Sequence, residues 1–347
     1  MAAAPPIDAV SRFRADLEAL AGTDPGPLGV AVSGGPDSLA LLLLAYAALP
    51  GRIAAATVDH GLRSASAGEA AEVARLCAGM GIPHRILDVR VEPAGEGLQA
   101  AARAARYLAL AAWMESEGRV LLLTAHHADD QAETLLMRLN RGSGVAGLAG
   151  VRAVGPVPGT DGRLRLCRPL LGWRRSELQA VAESAGLAAA LDPSNSDERF
   201  DRVRFRRRLG ESPWLDPAAL ARSAALLAEA EAALDWTAGP LFAARAQVEA
   251  GAVTLRPNGL PPELLRRLVL RCLRELAPDA KPRGEALAGF IGSLESGGTA
   301  TLCGVIASGG QTWRFEPEPP RSHPRHPGES RDDVDGSVRH PGEGRDP

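Results

Sequence analysis

The chain has 347 residues, a formal net charge of −3 and 45% hydrophobic residues, of which few are aromatic. This length allows two domains, and the charge balance excludes a globally basic nucleic-acid-binding protein, so that any RNA contact must be a local patch. The four cysteines form no C-x-x-C pair, which disfavours a zinc, iron–sulfur or redox site and favours a reducing cytoplasm. We see no signal peptide and no apolar run of the roughly 20 residues that a membrane span needs.

The first half of the chain alternates apolar strands with helices. Strands are predicted at 28–32, 52–58, 84–91 and 120–124, and helices at 7–20, 39–49, 67–80, 98–117 and 175–185. This alternation predicts an α/β fold, with a doubly wound, Rossmann-like parallel sheet and helices on both faces. In such sheets ligands bind beyond the carboxyl ends of the strands.

The composition changes after Pro213. An alanine-rich helix or helical hairpin is predicted over 217–247 as a connector, followed by a small α+β unit. That unit contains a strand at 253–256, helices at 263–275 and 285–294, and a hairpin across 299–316. The tail is rich in proline and charge and is predicted to be disordered. We therefore expect three parts, with residue ranges 1–212, 213–318 and 319–347.

A glycine turn between the first strand and the next helix has the sequence Ser33-Gly34-Gly35-Pro36-Asp37-Ser38. The glycines permit close backbone approach to a ligand, and the helix N-terminus favours an anion. The turn lacks the glycine–lysine–serine/threonine ending of a Walker phosphate loop, and with it the lysine that would neutralise the phosphates. It resembles instead the pyrophosphate loop of enzymes that split ATP into AMP and pyrophosphate. The alternative is an ordinary strand-to-helix turn rich in small residues.

Two further polar clusters follow strands, at 59–63 and 126–133. Asp130 and Glu133 lie three residues apart and share a helical face, which suits an amine or Mg²⁺ or, alternatively, an acidic first turn that complements the helix dipole. Arg103 and Arg106 also share a face. They are candidates for phosphate binding or for a solvated surface. For His126 and His127 the sequence leaves three roles open, namely acid–base catalysis, metal binding and packing.

An arginine run occupies 199–208 and is a candidate for contact with RNA phosphates, although charge runs are usually solvated. Phe200 and Phe205 are candidates either for base stacking or for anchoring this segment to the core.

The ordered set of these motifs resembles the tRNA(Ile)-lysidine synthases over roughly residues 25–208. One departure is Val203, which stands where asparagine is common in that family. The motifs that carry the resemblance are Ser33–Ser38, Val58–Arg63, Ala102–Tyr107, His126–Thr134, Arg141–Gly144, Arg168–Leu170 and Asp192–Asn195.

The resemblance implies ligation of lysine to the wobble cytidine of an isoleucine tRNA with a CAU anticodon, with ATP and Mg²⁺ as cofactors. It also implies that 1–212 is the catalytic domain and that 213–318 contacts tRNA. The implied catalytic residues are Asp37, Arg103, Arg106, Asp130 and Glu133, and Asp37 is the metal ligand. The implied ATP-binding residues are Ser33–Ser38, Val58 and Asp59, and those for lysine or tRNA are His127, Asp130, Glu133, Asn195, Arg202, Arg204 and Arg206.

Two alternatives remain open at this point. One is another pyrophosphate-loop tRNA-modifying enzyme of the 2-thiocytidine type, for which paired cysteines would be expected. The other is a non-catalytic tRNA- or nucleotide-binding protein. The sequence also leaves a homodimer open.

Overall fold

The computed structural model describes residues 3–61, 66–90, 98–187 and 201–319. The predicted disordered tail lies outside the described residues from position 320, and so do Asn195 and the start of the arginine run. The chain divides into two compact units between Thr237 and Ala238. The three-part division expected from the sequence, with boundaries after 212 and 318, remains a prediction.

Unit 1 contains the first six strands and the first eight helices, and a ninth helix begins in it. The strands are β1 (Leu28–Ala31), β2 (Ile53–Asp59), β3 (His84–Asp88), β4 (Leu121–Leu123), β5 (Val154–Pro156) and β6 (Arg165–Cys167). The helices are α1 (Ile7–Ala21), α2 (Pro36–Ala48), α3 (Ser66–Met80), α4 (Leu98–Ser116), α5 (Ala128–Leu139), α6 (Val145–Leu148), α7 (Arg175–Ser184), α8 (Asp201–Gly210) and α9 (Pro217–Arg245).

The six strands form one sheet in the order β3-β2-β1-β4-β6-β5. Five strands are parallel, which confirms the predicted α/β fold, and β5 pairs antiparallel with β6 at the edge. Since β2, β1 and β4 are parallel neighbours, the segments that follow them emerge at the same edge. This topology brings the three polar clusters of the sequence to one side of the sheet.

Apolar cores cover both faces of the sheet, because alternate residues of a strand point to opposite sides. On β4, Leu121 and Leu123 pack in the core that contains α1, α2 and α7, whereas Leu122 packs in the core that contains α4. The run of leucines in α2 is buried on all sides, which explains its lack of amphipathic pattern.

The alanine-rich segment forms the single helix α9, which is one of the two alternatives expected from the sequence. Two other features differ from the sequence expectations. The arginine run forms helix α8, for which no secondary structure was predicted. Strands β5 (Val-Gly-Pro) and β6 (Arg-Leu-Cys) were missed because they are short and, unlike the equally short β4, contain no continuous apolar run.

Unit 2 is the predicted small α+β unit, and the structure confirms it. Its antiparallel sheet has the order β7-β8-β11-β10-β9, and two helices pack on a core that includes Trp313 and Phe315. The elements are β7 (Ala246–Glu249), β8 (Ala252–Leu255), α10 (Pro262–Leu276), α11 (Gly284–Glu295), β9 (Thr299–Leu302), β10 (Val305–Ser308) and β11 (Trp313–Pro317). Within the described ranges, no helix combines the length and apolarity required to cross a bilayer.

Gly29 in β1 lies directly beneath α4, so a larger residue at this position should destabilise the fold. A Cβ at this position would lie 2.5 Å from Met114 Sδ and 2.8 Å from the Trp113 ring. Gly29→Val should therefore lower the free energy of unfolding by about 1–3 kcal/mol through overpacking. Gly155→Val on the edge strand β5, where a Cβ meets nothing within 4 Å, is the matched control. Urea unfolding of both variants measures the difference, and equal stabilities would contradict this packing.

Candidate functional site

The turn between β1 and α2 is held in shape by its own serines. Ser38 Oγ donates to the Gly35 carbonyl at 2.9 Å and accepts from the Ser33 amide at 3.1 Å. Gly34 has φ of +85°, a left-handed conformation that suits glycine. Because α2 begins at Pro36, this loop places free backbone N–H groups and the Asp37 carboxylate at the carboxyl edge of the sheet.

His127 lies just before α5 and links this loop to the neighbouring strand. Its side chain is 4% exposed, and its Nε2 lies 3.5 Å from Asp37 Oδ2 and 3.5 Å from Asp130 Oδ2. Its Nδ1 faces Asp129 Oδ2 at 3.6 Å. One imidazole is thus surrounded by three carboxylates from two helix N-termini.

The two adjacent histidines have opposite protonation states at neutral pH. For His127, burial opposes the charged form, but the three carboxylates outweigh it and raise the pKa to about 9. For His126, burial together with nearby arginines lowers the pKa to about 3, although Asp130 opposes this shift. His126 is therefore neutral, with Nδ1 3.1 Å from Thr124 Oγ1, and His127 is a buried cation.

Asp129 joins the start of α5 to the start of α7. Its Oδ2 accepts from the Arg175 backbone N–H at 2.8 Å, and the Arg174 guanidinium donates to both of its oxygens at 3.3 Å. Burial opposes its charge, but His127, the Arg175 amide and Arg174 together hold the pKa of Asp129 well below its usual range.

The acidic pair expected from the sequence is met by two arginines of α8. Arg202 donates from Nη2 to Asp130 Oδ1 at 2.6 Å and from Nε to Glu133 Oε2 at 2.8 Å. Arg206 donates from Nε to Glu133 Oε1 at 2.6 Å. Glu133 is almost fully buried, and a buried carboxylate requires such partners. Two arginines of the predicted RNA-binding run therefore face inward, toward α5.

The other arginines of α8 lie on a more exposed face. Arg204, which is 57% exposed, pairs with Asp201, and Arg208, which is 75% exposed, pairs with Glu211. Val203 lies between the two inward-facing arginines on the same helix. Arg204 and Arg208 are thus more exposed than Arg202 and Arg206, whose side chains are 43% and 30% exposed and are bound to the acidic pair.

A second group of cations comes from α4 and from the end of β6. Arg103 lies 5.2 Å from the centroid of the Tyr107 ring, and Arg106 contributes to lowering the pKa of the partly buried His60. Arg168 is buried and donates to the Arg152 carbonyl at 2.6 Å, while its Nε has no partner. Among the described residues, none of these three arginines forms an ion pair with a carboxylate. This group is suited to an external anion.

The sequence alone indicates no individual role for Arg168, Asp129 or Arg174. Their positions in the chain could have indicated a role, since Arg168 directly follows a strand of the sheet and Asp129 directly precedes the acidic pair. Of the residues expected to line an adenosine pocket, Asp59 accepts from the Gly61 N–H at 2.9 Å and from Ser66 Oγ at 2.6 Å, and Val58 is partly buried beside it. Asn195 lies outside the described residues.

The donor set of the loop is compatible with Mg²⁺ that is shared with phosphates. Asp37 Oδ1 is buried and has no hydrogen-bond partner. Within the described ranges, no group of three or more histidines, cysteines or carboxylates could hold a metal alone. Mg²⁺ commonly binds one or two carboxylates and completes its shell with phosphates and water. One free carboxylate oxygen at a phosphate-binding turn fits that pattern.

Comparison with known proteins identifies the relatives of this chain. A model of the PP-loop domain matches residues 10–212. The tRNA(Ile)-lysidine synthase of Zymomonas mobilis is 47% identical over 297 residues, with 85% of this chain and 90% of the relative covered. That of Novosphingobium aromaticivorans is 49% identical over 321 residues, with 92% and 97% covered. Among solved structures, the U34-tRNA thiolase NcsA of Methanococcus maripaludis has a similar fold, with a TM-score of 0.52, 17% identity, and 64% and 78% covered.

The lowered pKa of Asp129 generates a prediction on stability and pH. A carboxyl whose folded pKa lies below its unfolded value of about 3.9 contributes stability above that value and loses the contribution as the pH falls through the folded pKa. Asp129→Asn should lower the free energy of unfolding by roughly 1.5–3 kcal/mol at pH 7, and the difference from wild type should shrink below about pH 4. Urea unfolding at pH 7, 5 and 3 measures it. Asp88→Asn, at an exposed carboxylate, is the control, and a pH-independent deficit would contradict this role of Asp129.

Proposed function

The chain belongs to the tRNA(Ile)-lysidine synthase family, and we propose that it ligates lysine to C2 of the wobble cytidine of an isoleucine tRNA with a CAU anticodon, releasing AMP and pyrophosphate from ATP. One observation carries the proposal. His127 Nε2 lies 3.5 Å from both Asp37 in the pyrophosphate loop and Asp130 in the acidic pair. The loop suited to a nucleotide and the carboxylates suited to an amine are thus parts of one site.

In the first step, the cytidine C2 oxygen attacks the α-phosphate, the bond between the α- and β-phosphates breaks, and pyrophosphate leaves. Such a transfer needs positioning and charge stabilisation rather than a protein nucleophile. We assign the leaving pyrophosphate to the N–H groups and hydroxyls of Ser33–Ser38. Arg103 and Arg106, which lack carboxylate partners among the described residues, are assigned to the negative charge that develops on the α-phosphate. Val58 and Asp59 are assigned to the adenosine.

Asp37 is the residue we propose to hold Mg²⁺, because its buried Oδ1 has no other partner. When bound, the ion would neutralise phosphate charge during the transfer. His127 holds the other Asp37 oxygen by its positive charge at 3.5 Å, which orients the carboxylate toward the loop.

In the second step, the lysine side-chain amine attacks C2 of the adenylated cytidine, and AMP leaves. We assign the amine to Asp130 and Glu133, which are buried at the edge of the site. Pairing with Arg202 and Arg206 leaves hydrogen-bond acceptor positions on both carboxylates, since each carboxylate offers about four. An ammonium group can therefore be added to the pair without removing either arginine.

For the tRNA, the exposed face of α8 is the best candidate, through Arg204. Arg202 and Arg206 are assigned instead to the interior of the same site, where they hold the acidic pair. Asn195 and unit 2 remain candidates for tRNA contact from the sequence alone. Because tRNA, lysine and ATP coexist in the cytoplasm, we place the activity there.

Loop variants test whether the reaction follows this route. Purified protein is mixed with ATP, labelled lysine and an isoleucine tRNA transcript with a CAU anticodon. We expect lysine-dependent label in the tRNA with AMP as the nucleotide product, and roughly hundredfold or greater loss in Asp37→Asn because a fixed charge at the phosphates is removed. Asp24→Asn, at a carboxylate that is 79% exposed, should retain full activity. ADP as the product would contradict the mechanism, and thiolation with a sulfur donor would indicate the thiocytidine alternative.

Substitution of Glu133 separates the two steps. Glu133→Gln removes the charge that attracts the amine, so the KM for lysine should rise about tenfold or more. Release of pyrophosphate in the absence of lysine, which reports adenylation, should fall much less. Glu211→Gln at the exposed end of α8 is the matched control. An equal loss in both steps would show that Glu133 acts only by supporting the fold.

A further inference from the structure

A cavity of about 450 Å³ lies beside the acidic pair, entirely within unit 1. It is formed by the starts of α5, α7 and α9 and by the end of α8. Its volume is in the range of sites for small molecules. The charged residues that line it are Asp129, Glu133, Arg174, Arg175, Arg206 and Asp216.

Five of these six charges are neutralised by one another or by neighbouring residues. Arg174 lies between Asp129 and Asp216, at 3.3 and 3.4 Å, and Arg206 is bound to Glu133 at 2.6 Å. Asp216 additionally accepts two N–H groups at the start of α9. The cavity is therefore lined mostly by groups that already have partners.

Arg175 is the exception. Its backbone N–H donates to Asp129, but its guanidinium forms no ion pair with any described carboxylate. Its Nε is buried and has no hydrogen-bond partner. A buried nitrogen without a partner carries a desolvation cost, and Arg175 lines the cavity with no described carboxylate to neutralise its charge.

Resting on the proposed function, we infer that this cavity holds the backbone end of the free amino-acid substrate, with its α-carboxylate on the Arg175 guanidinium. The planar guanidinium matches a carboxylate in geometry and in charge. Glu133 lines the same cavity and also belongs to the acidic pair assigned to the side-chain amine. An amino acid with a carboxylate at one end and an amine at the other would place each group beside a lining residue of opposite charge in this one cavity.

Lysinamide, in which a neutral amide replaces the carboxylate, tests the inference by chemical complementation. In the wild type, kcat/KM for lysine should exceed that for lysinamide by about ten- to hundredfold, as expected for loss of a charged hydrogen-bonded pair. In Arg175→Gln the KM for lysine should rise by a similar factor, and the preference for lysine over lysinamide should largely disappear. Arg175→Lys should restore part of that preference.

Pyrophosphate release without lysine shows that the variants are folded and bind ATP and tRNA. Arg163→Gln, on a side chain that is 75% exposed, is the matched control and should leave both substrates unaffected. A wild type that does not distinguish the two amines, or a variant with unchanged discrimination, overturns the inference while the proposed function stands. Weakened tRNA binding with an unchanged KM for lysine also overturns it and assigns Arg175 to a phosphate. Absence of lysine transfer in the wild type overturns the proposed function itself.

Discussion

The site depends on a buried positive charge at His127. A buried ion is costly unless it is paired, and this imidazolium is paired on both nitrogens, with Asp37 and Asp130 on one side and Asp129 on the other. Burial opposes the charge of Asp129 and Asp130, but this imidazolium and the arginines around them keep the pKa values of both carboxyls low. The pyrophosphate loop, the start of α5 and the start of α7 are therefore positioned by mutual electrostatic dependence rather than by apolar packing alone.

Charge is separated across the carboxyl edge of the sheet. The side nearest α5 has carboxylates whose partners are His127, Arg202 and Arg174, and it suits a cationic substrate group. The side nearest α4 has arginines without such partners among the described residues, and it suits phosphate. His126 lies between them and is kept neutral by burial and by the arginines. Two neighbouring residues of the same type thus differ in charge because their surroundings differ.

Much of the fold and part of the site could be predicted from the sequence, because strand–helix alternation places the ends of β1, β2 and β4 at one edge. The link between His127 and Asp37 follows from that rule. The pairing of Arg202 with Glu133 does not, since 69 residues separate them and the polar, arginine-rich α8 has no apolar stripe to reveal its buried face. Among the described arginines that line the cavity, Arg175 alone has no carboxylate partner. This could not be predicted either, because the sequence shows how many arginines are present but not which carboxylates they contact.

The position of α8 has a consequence for the chemistry of the acidic pair. Glu133 lies on α5 and is almost fully buried, but the cations that pair with it, Arg202 and Arg206, lie on α8. Without these two arginines, the buried carboxylate would lose its hydrogen-bond donors and bear the full cost of desolvation. The amine-binding role proposed for Glu133 therefore depends on the packing of α8 against α5, and in that proposal the two arginines support substrate recognition without touching the substrate.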